Sequence, residues 1–130
     1  MNSLKYFVSN WGFVFLSALL DSYAAFVVKS QFNKLGVLNF KSIKSIFNYL
    51  QVFIKDFYLL TGLLAFALAP AMWFIALNKI ELSVAYPVLV GFHLVFVLFF
   101  GVNFLNEPMN INKIIGSLLI LLSLFFFYKK

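Results

Sequence analysis

The 130-residue sequence contains no cysteine and no arginine, and only four of its residues are acidic. Without cysteine, the chain can form neither a disulfide framework nor a thiolate metal site. Charged residues make up 11% of the chain, whereas a soluble domain carries about a quarter. The scarcity of charge therefore argues against a soluble globular domain.

The residues of common catalytic sites are missing as well. The sequence has no glycine-rich phosphate loop, no paired carboxylates, and no serine nucleophile with a nearby base. His93 is the only histidine, and the few acids cannot complete a metal site around it. We therefore expect a protein that is not an enzyme and that uses no metal or cofactor.

Apolar residues, 64% of the chain, are gathered into four long runs. Because roughly 20 apolar residues span a bilayer as a helix, these runs predict four transmembrane helices. The predicted spans are about 11–28, 57–77, 82–105 and 114–128. The short second and third connections force neighbouring helices to run antiparallel. The predicted fold is a single all-α membrane domain over 1–130, with four transmembrane helices in a compact bundle.

The first connection differs from the others, since apolar and basic residues alternate at helical spacing over about 40–56. Lys41, Lys44 and Lys55 lie on the face opposite Phe47 and Leu50. The pattern predicts a basic amphipathic helix lying on the membrane surface, or an N-terminal extension of the second span.

The net charge of +6 comes from ten lysines, most of them just outside the apolar runs. Lysines in that position meet anionic headgroups, so we expect membrane lipids as partners and no nucleic acid. The predicted loops carry five or six lysines on one side and four on the other. That bias is weak under the positive-inside rule, so either orientation in the membrane is open.

Asp21 interrupts the first run, in the stretch FLSALLDSYAAFVVKS at 15–30. An ionised carboxylate at mid-membrane costs at least ~2.5–3.5 kcal/mol, and such residues usually mark an ion or substrate path. The neighbours at helical spacing are small, so the acid faces a helix interface or a cavity. They include Ser17, Ala18, Ala24 and Ala25. We predict that Asp21 and Ser17 bind protons or substrate; the alternative is a structural acid paired with a lysine or hydroxyls. This run is also too long for a signal peptide.

Three further side chains are candidates for the same site. Trp73 follows a small-residue face of the second span and could form a pocket wall. Tyr86 could hydrogen-bond the carboxylate or its substrate, because a buried phenol needs a partner. His93 lies two turns beyond Tyr86 on the same face, and is either a proton relay or a satisfied polar residue.

Small residues in the third and fourth spans predict close helix packing. Gly91 permits another backbone to approach. Gly116 and Ser123, seven residues apart, lie on one face of the fourth span and suit a contact between subunits.

The order and spacing of these features resemble the small multidrug resistance family of the drug/metabolite transporter superfamily. The essential membrane glutamate of that family corresponds to Asp21, its lysine eight residues later to Lys29, and its second-span tryptophan to Trp73. The other matching positions are Ala85, Tyr86, Gly91 and Gly116. The resemblance implies a dimer, antiparallel in this family, in which two copies of Asp21 face a shared chamber.

The third and fourth spans also resemble the aminoarabinose-phosphoundecaprenol flippase subunits of the same superfamily. The shared stretches are VAYPVL at 84–89, NEP at 106–108 and IIGSLLI at 114–120. The chain departs from both groups. Leu89 replaces a pocket tryptophan of the drug exporters and Ser123 replaces their second dimer glycine, while the flippase subunits usually lack an acid at Asp21.

Three functions follow from these observations. The leading hypothesis is proton-coupled antiport of a small cationic or amphipathic compound, with Asp21 holding either a proton or the substrate in a dimer. The alternative is a flippase subunit that translocates a polyprenyl-phosphate-linked sugar or another polar lipid. In the third, the chain is a membrane scaffold. Either transporter would be a multi-pass protein of the bacterial inner membrane, in a homodimer or with a related four-span subunit.

Overall fold

The structure, a computed structural model, describes residues 2–35 and 42–128. Five helices follow one another within these ranges, so the prediction of an all-α chain is confirmed there. They are α1 (Asn2–Leu35), α2 (Ile43–Lys55), α3 (Phe57–Leu77), α4 (Leu82–Phe104) and α5 (Ile111–Tyr128).

Three stretches are long and apolar enough to cross a membrane: Trp11–Lys34 in α1, all of α3 and all of α4. The apolar part of α5, Ile111–Phe127, is shorter. The helix extends beyond residue 28, the predicted end of the first span. Lysine is a good helix former, so Lys29 does not stop α1, which continues to Leu35.

The first helix organises the others, because α1 packs most extensively against α3 and next against α4. The helices α1 and α3 run antiparallel. The Ser17 hydroxyl donates to the backbone oxygen of Ala69 over 2.9 Å, and the hydroxyls of Tyr23 and Thr61 lie 2.9 Å apart. These bonds fix the register of the two helices inside an apolar interface, where an unpaired hydroxyl is costly.

A glycine allows α1 and α3 to approach closely. A β-carbon on Gly62 would lie 2.7 Å from Cγ1 of Val27, and Val27 is fully buried. Valine is stiff at χ1 in a helix, so it cannot turn aside to admit a methyl group. The absence of a side chain at position 62 therefore sets the distance between the two helices.

The contact between α1 and α4 is largely aromatic, and these two helices run parallel. Phe15 packs edge-on against Phe92, with ring centroids 5.4 Å apart, while Phe26 stacks on Phe100 at 5.0 Å. Such pairs contribute about 0.5–1.5 kcal/mol each beyond their buried area. They hold α4 on α1 although α4 makes little contact with α3.

One buried apolar cluster lies at the end of the molecule that precedes Asp21 along α1. Its members are Val14, Ala18, Ala76 and Leu89, with Trp11, Phe13, Trp73, Ile80, Val88, Phe92 and Phe96 packed around them. All of the α1 members precede Asp21. We call this part the closed half, and the part that follows Asp21 along α1 the open half.

The amphipathic segment forms a separate helix. The side chain of Ser42 caps α2, and Asp56 has an extended backbone (φ −89°, ψ 109°) that ends α2 and starts α3. Oδ1 of Asp56 accepts from the backbone N–H of Tyr58, and Oδ2 accepts from Nε2 of Gln31 over 2.8 Å. The break at Asp56 rules out a continuous extension of the second span. Residues 40 and 41 of the predicted segment lie outside the described residues.

The last helix lies at the edge of the arrangement. Among the described residues, α5 packs against α4 alone, so the compact four-helix bundle is only partly confirmed. Leu124 fills the space beside Gly91. Asn106 turns the chain between the two helices with a positive φ of 53°, a conformation that asparagine tolerates better than most residues.

Replacing Gly62 with alanine tests the close α1–α3 packing. Overpacking a tight interface typically costs about 1–3 kcal/mol, so we expect Gly62→Ala to lower the midpoint of thermal unfolding in detergent. Circular dichroism measures that midpoint. Gly12→Ala is the matched control, because no described atom lies within 4 Å of a β-carbon at position 12. Equal midpoints for the two variants would contradict the packing described.

Candidate functional site

The carboxylate of Asp21 lies at the boundary between the closed and the open half. The parallel course of α1 and α4 brings His93 beside it, with Nε2 of His93 3.1 Å from Oδ2 of Asp21. Their side chains are 27% and 44% exposed, respectively, in the isolated chain. The sequence indicated both residues as candidates, and the structure brings them together.

The contact between these two groups is close but is not an aligned hydrogen bond. The buried Nε2 of His93 has no hydrogen-bond partner among the described residues, since such a bond requires direction as well as distance. A protonated imidazole forms an ion pair with the carboxylate at this distance, whereas a neutral one does not. The strength of this α1–α4 link therefore depends on the protons that the two groups hold.

A groove runs from Asp21 along the open half between α1 and α3. Its volume is about 500 Å³, within the range of about 300–1,000 Å³ typical of small-molecule sites. It is lined by Asp21, Ala24, Ala25, Val28, Lys29, Phe32, Gly62, Leu63 and Phe66. We call it the α1–α3 groove. Its lining includes one acid and one base, and the remaining walls are apolar.

The positions of Asp21 and Lys29 in the α1–α3 groove follow from helix geometry. Residues eight apart differ by about 12 Å along the axis and lie on nearly the same face. The acid therefore lies at one end of the groove, and the base lies nearer the other end, where Gln31 meets Asp56. A ligand in this groove would meet a negative charge at one end and a positive charge at the other.

A smaller cavity of about 130 Å³ lies on the other side of α1, against α4 and the loop that follows it. We call it the α1–α4 cavity. Its polar lining residues are Ser22, Lys29 and Glu107. Lys29 and Ala25 line both spaces. The first helix thus separates two crevices in the open half.

The other predicted site residues lie elsewhere. Ser17 is buried, and its hydroxyl is occupied by the backbone oxygen of Ala69. Trp73 packs against the closed half, and its ring lies 6.1 Å from that of Tyr86, which is 58% exposed. None of these three lines the α1–α3 groove. A role for them in binding stays a prediction.

The predicted packing residues fall into two kinds. Gly91 contributes to packing between α4 and α5 of the same chain, because Leu124 fills the space beside it. Nothing lies within 4 Å of a β-carbon at Gly116, and the exposed Ser123 donates only to the backbone oxygen of Ile120. A contact between subunits at these two residues stays a prediction.

Three lining residues were not among the site residues predicted from the sequence: Ser22, Lys29 and Glu107. Lys29 entered only as the counterpart of a family lysine, and Glu107 only as part of the NEP stretch. The spacing of Lys29 from Asp21, with Ala25 and Val28 between them on one face, was the signal that marked it as a groove residue. Within the described residues, no group of three acids or histidines could hold a metal ion.

Comparison with known proteins gives two kinds of match. The model of the EamA-like transporter family matches residues 5–129. A probable 4-amino-4-deoxy-L-arabinose-phosphoundecaprenol flippase subunit ArnF of Shewanella sediminis (strain HAW-EB3) is 41% identical over 70 residues, which are 53% of this chain and 48% of that protein. The protein of the same name from Enterobacter sp. (strain 638) is 36% identical over 67 residues, 51% of this chain and 53% of that protein.

The chain thus spans about half the length of the curated relatives it matches. No solved structure matches it significantly. The comparisons support the transporter superfamily inferred from the sequence, but they do not confirm the small multidrug resistance family within it. Because the family model covers nearly the whole chain and three helices can cross a membrane, this integral membrane protein belongs to the EamA-like transporter family.

Proposed function

We propose that the chain is a flippase subunit that moves a lipid-linked headgroup bearing both an amine and a phosphate. The observation that carries this proposal is the α1–α3 groove, whose apolar walls hold Asp21 and Lys29 as the two charged lining residues. The names of the matched relatives give a substrate with the same chemical groups: an amino sugar, a phosphate and undecaprenol. The expected location is the bacterial inner membrane.

The two charges suit the two ends of such a headgroup. The carboxylate of Asp21 would bind the ammonium group, and the ammonium of Lys29 would bind the phosphate. The flexible four-carbon stem of Lys29 can shorten the axial separation of about 12 Å between the residues. Charge-assisted hydrogen bonds in a site of low dielectric constant are stronger than in water.

The remaining walls of the groove suit the hydrocarbon of the lipid. Phe32, Leu63 and Phe66 present apolar surfaces along its length, and Leu63 and Phe66 are exposed at its side. A polyprenyl chain could lie there without passing through the interior of the protein. The groove would then bind the headgroup while the chain remained in the bilayer.

The contrast between the two halves of the molecule suits alternating access. Both crevices lie in the open half, whereas apolar packing fills the closed half. Movement of a headgroup past Asp21 would require the closed half to separate and the open half to close. The contact between Asp21 and His93 lies at the boundary and would change during that movement.

We also propose that α5 is a fourth span and that the transporter contains a second subunit. A span of 17 residues is the lower limit for crossing a bilayer as a helix of about 1.5 Å rise per residue. Because α5 covers only α4, much of the apolar surface of α3 and α4 is free for a partner. That partner would be a second copy, antiparallel or not, or a related subunit.

Neutralising the acid should remove recognition of the amine. We expect Asp21→Asn to weaken binding of 4-amino-4-deoxy-L-arabinose-phosphoundecaprenol by about tenfold to a hundredfold, since a hydrogen bond to a charged group contributes about 1.5–3 kcal/mol. Binding of phosphoundecaprenol, which has no amine, should not change. Native mass spectrometry of the purified chain measures both. Glu81→Gln is the control, because Glu81 is exposed at the start of α4.

Neutralising the base should give a different pattern. We expect Lys29→Met, which keeps an apolar side chain of similar length, to weaken binding of both phosphate-bearing lipids by about tenfold or more. The control is Lys113→Met, which removes a lysine whose Nζ donates to the backbone oxygen of Pro108 beside α5. If Lys29→Met bound both lipids as the native chain does, the phosphate would not lie at Lys29.

Proton-coupled antiport of an organic cation is a second candidate, and the contact between Asp21 and His93 favours it. Two titratable groups 3.1 Å apart can exchange a proton when a cation takes the carboxylate. In proteoliposomes under a pH gradient, antiport predicts proton release on addition of ethidium in the native chain and none in Asp21→Asn. Such flux, without binding of either phosphate lipid, would replace the flippase by the antiporter.

A further inference from the structure

A buried hydroxyl in the α1–α4 cavity lacks a hydrogen-bond partner. Ser22 is 2% exposed, and its Oγ has no partner among the described residues. A serine in a helix normally donates to a carbonyl of the preceding turn, as Ser117 does to Lys113. Leaving a buried hydroxyl unpaired is unfavourable, so its position at a cavity wall points to a ligand in that cavity.

The size and lining of the cavity suit water. A volume of about 130 Å³ holds several water molecules, each of which takes about 30 Å³ in the liquid. Buried water needs two to four polar partners, about the number of polar lining residues. The hydroxyl of Ser22, the ammonium of Lys29 and the carboxylate of Glu107 supply donors and acceptors at different points of the wall.

One lining residue of the cavity, Ser22, is the chain neighbour of Asp21. Ser22 follows Asp21 directly in α1, and Asp21 contacts Nε2 of His93, the second buried polar atom without a hydrogen-bond partner. The outer end is Glu107, an exposed residue of the loop. Ser22 and Glu107 line the cavity, and the pair of Asp21 and His93 lies next to Ser22 but outside the cavity lining.

The backbone holds Glu107 at the outer end. Its N–H donates to the carbonyl of Gly101 over 3.0 Å, and a β-carbon on Gly101 would lie 3.1 Å from Oε2 of Glu107. The positive φ of Asn106 turns the chain back so that this contact forms. The loop geometry and the small residue at 101 together bring the acid to the cavity wall.

We propose that the α1–α4 cavity holds a chain of water molecules that carries protons between Glu107 and the pair of Asp21 and His93. A proton taken up by Glu107 passes along the waters and the hydroxyl of Ser22, each of which accepts one proton and donates another. One proton reaches the pair, and the relay groups end unchanged. The route runs along the α4 side of α1 and meets the α1–α3 groove only at Asp21, and it does not depend on which cargo the groove binds.

The charges around the route come from three elements. The first helix contributes Asp21 and Lys29, and α4 with its loop contributes His93 and Glu107. Lys113 at the start of α5 lines an outer groove that Glu107 also borders. The part of α3 that lines the α1–α3 groove consists of Gly62, Leu63 and Phe66 and carries no charge. The apolar groove is the poorer medium for protons, particularly when lipid fills it.

The single histidine makes the proposal testable. In protein labelled with ¹⁵N-histidine and placed in lipid nanodiscs, only His93 gives a side-chain signal. We expect Ser22→Ala and Glu107→Gln each to slow the exchange of its ring protons with water at least about tenfold. Ser22→Thr, which keeps the hydroxyl, should restore the native rate. The controls are Ser123→Ala and Glu81→Gln, which change exposed residues outside the cavity.

Two outcomes would overturn this route. One is an exchange rate that is unchanged in both Ser22→Ala and Glu107→Gln. The other is a rate that falls instead in Leu63→Trp, which fills the α1–α3 groove and leaves the cavity open. The ¹⁵N shifts of His93 should stay at their native values in Ser22→Ala, which separates a lost relay from a displaced imidazole. No cargo is present, so the outcome is independent of the lipid-binding tests.

Discussion

The carboxylate of Asp21 imposes the constraint on which the open half depends. A charge among apolar helices needs a partner or water, since burying it alone costs several kcal/mol. The chain meets this need with three separate provisions: the imidazole of His93 on α4, the groove on the α3 side, and Lys29 two turns away. Among the described residues, the closed half contains no buried acid and packs tightly with small and aromatic residues. Asp21 therefore lies between the buried apolar cluster and the two crevices, while apolar packing continues beyond it at Val27 and Leu59.

The first helix separates the open half into two spaces, one on each side of it. Because α3 and α4 scarcely touch each other, both depend on α1 for their positions, and a crevice remains on each side of it. The α3 side approaches closely at Gly62 and then opens, whereas the α4 side is held by stacked rings such as Phe26 and Phe100. Lys29 borders both crevices. A change in the charge or the partner of Lys29 would therefore alter both crevices.

The positions of the helices depend on neighbouring residues along the chain and were predicted from the sequence. Contacts between side chains of different helices depend on how each helix is rotated, and these were not predicted. The apolar runs located α3 and α4 closely, and the pattern around residues 43–55 identified α2. Asp21 and His93 were each selected by residue type, but they are 72 positions apart, and only the rotation of α4 on α1 brings them into contact. A lysine near a helix end usually extends its side chain to the headgroups, so residue type alone did not place Lys29 in the groove. Its membership of the groove became clear only from the walls that α3 supplies.

The net charge of the groove distinguishes the two transport hypotheses in physical terms. A site for a simple cation needs one negative charge, and a lysine in the same space would oppose binding by repulsion. With Asp21 and Lys29 both ionised, the groove is neutral overall, which matches a headgroup with one ammonium and one phosphodiester. Protonation of Asp21 would leave the phosphate contact in place and remove the ammonium contact. A proton and an amine would therefore compete for the same carboxylate, while the lysine kept the lipid in the groove. Under the proposed function, the acid would bind the proton or the amine, and the base would hold the phosphate.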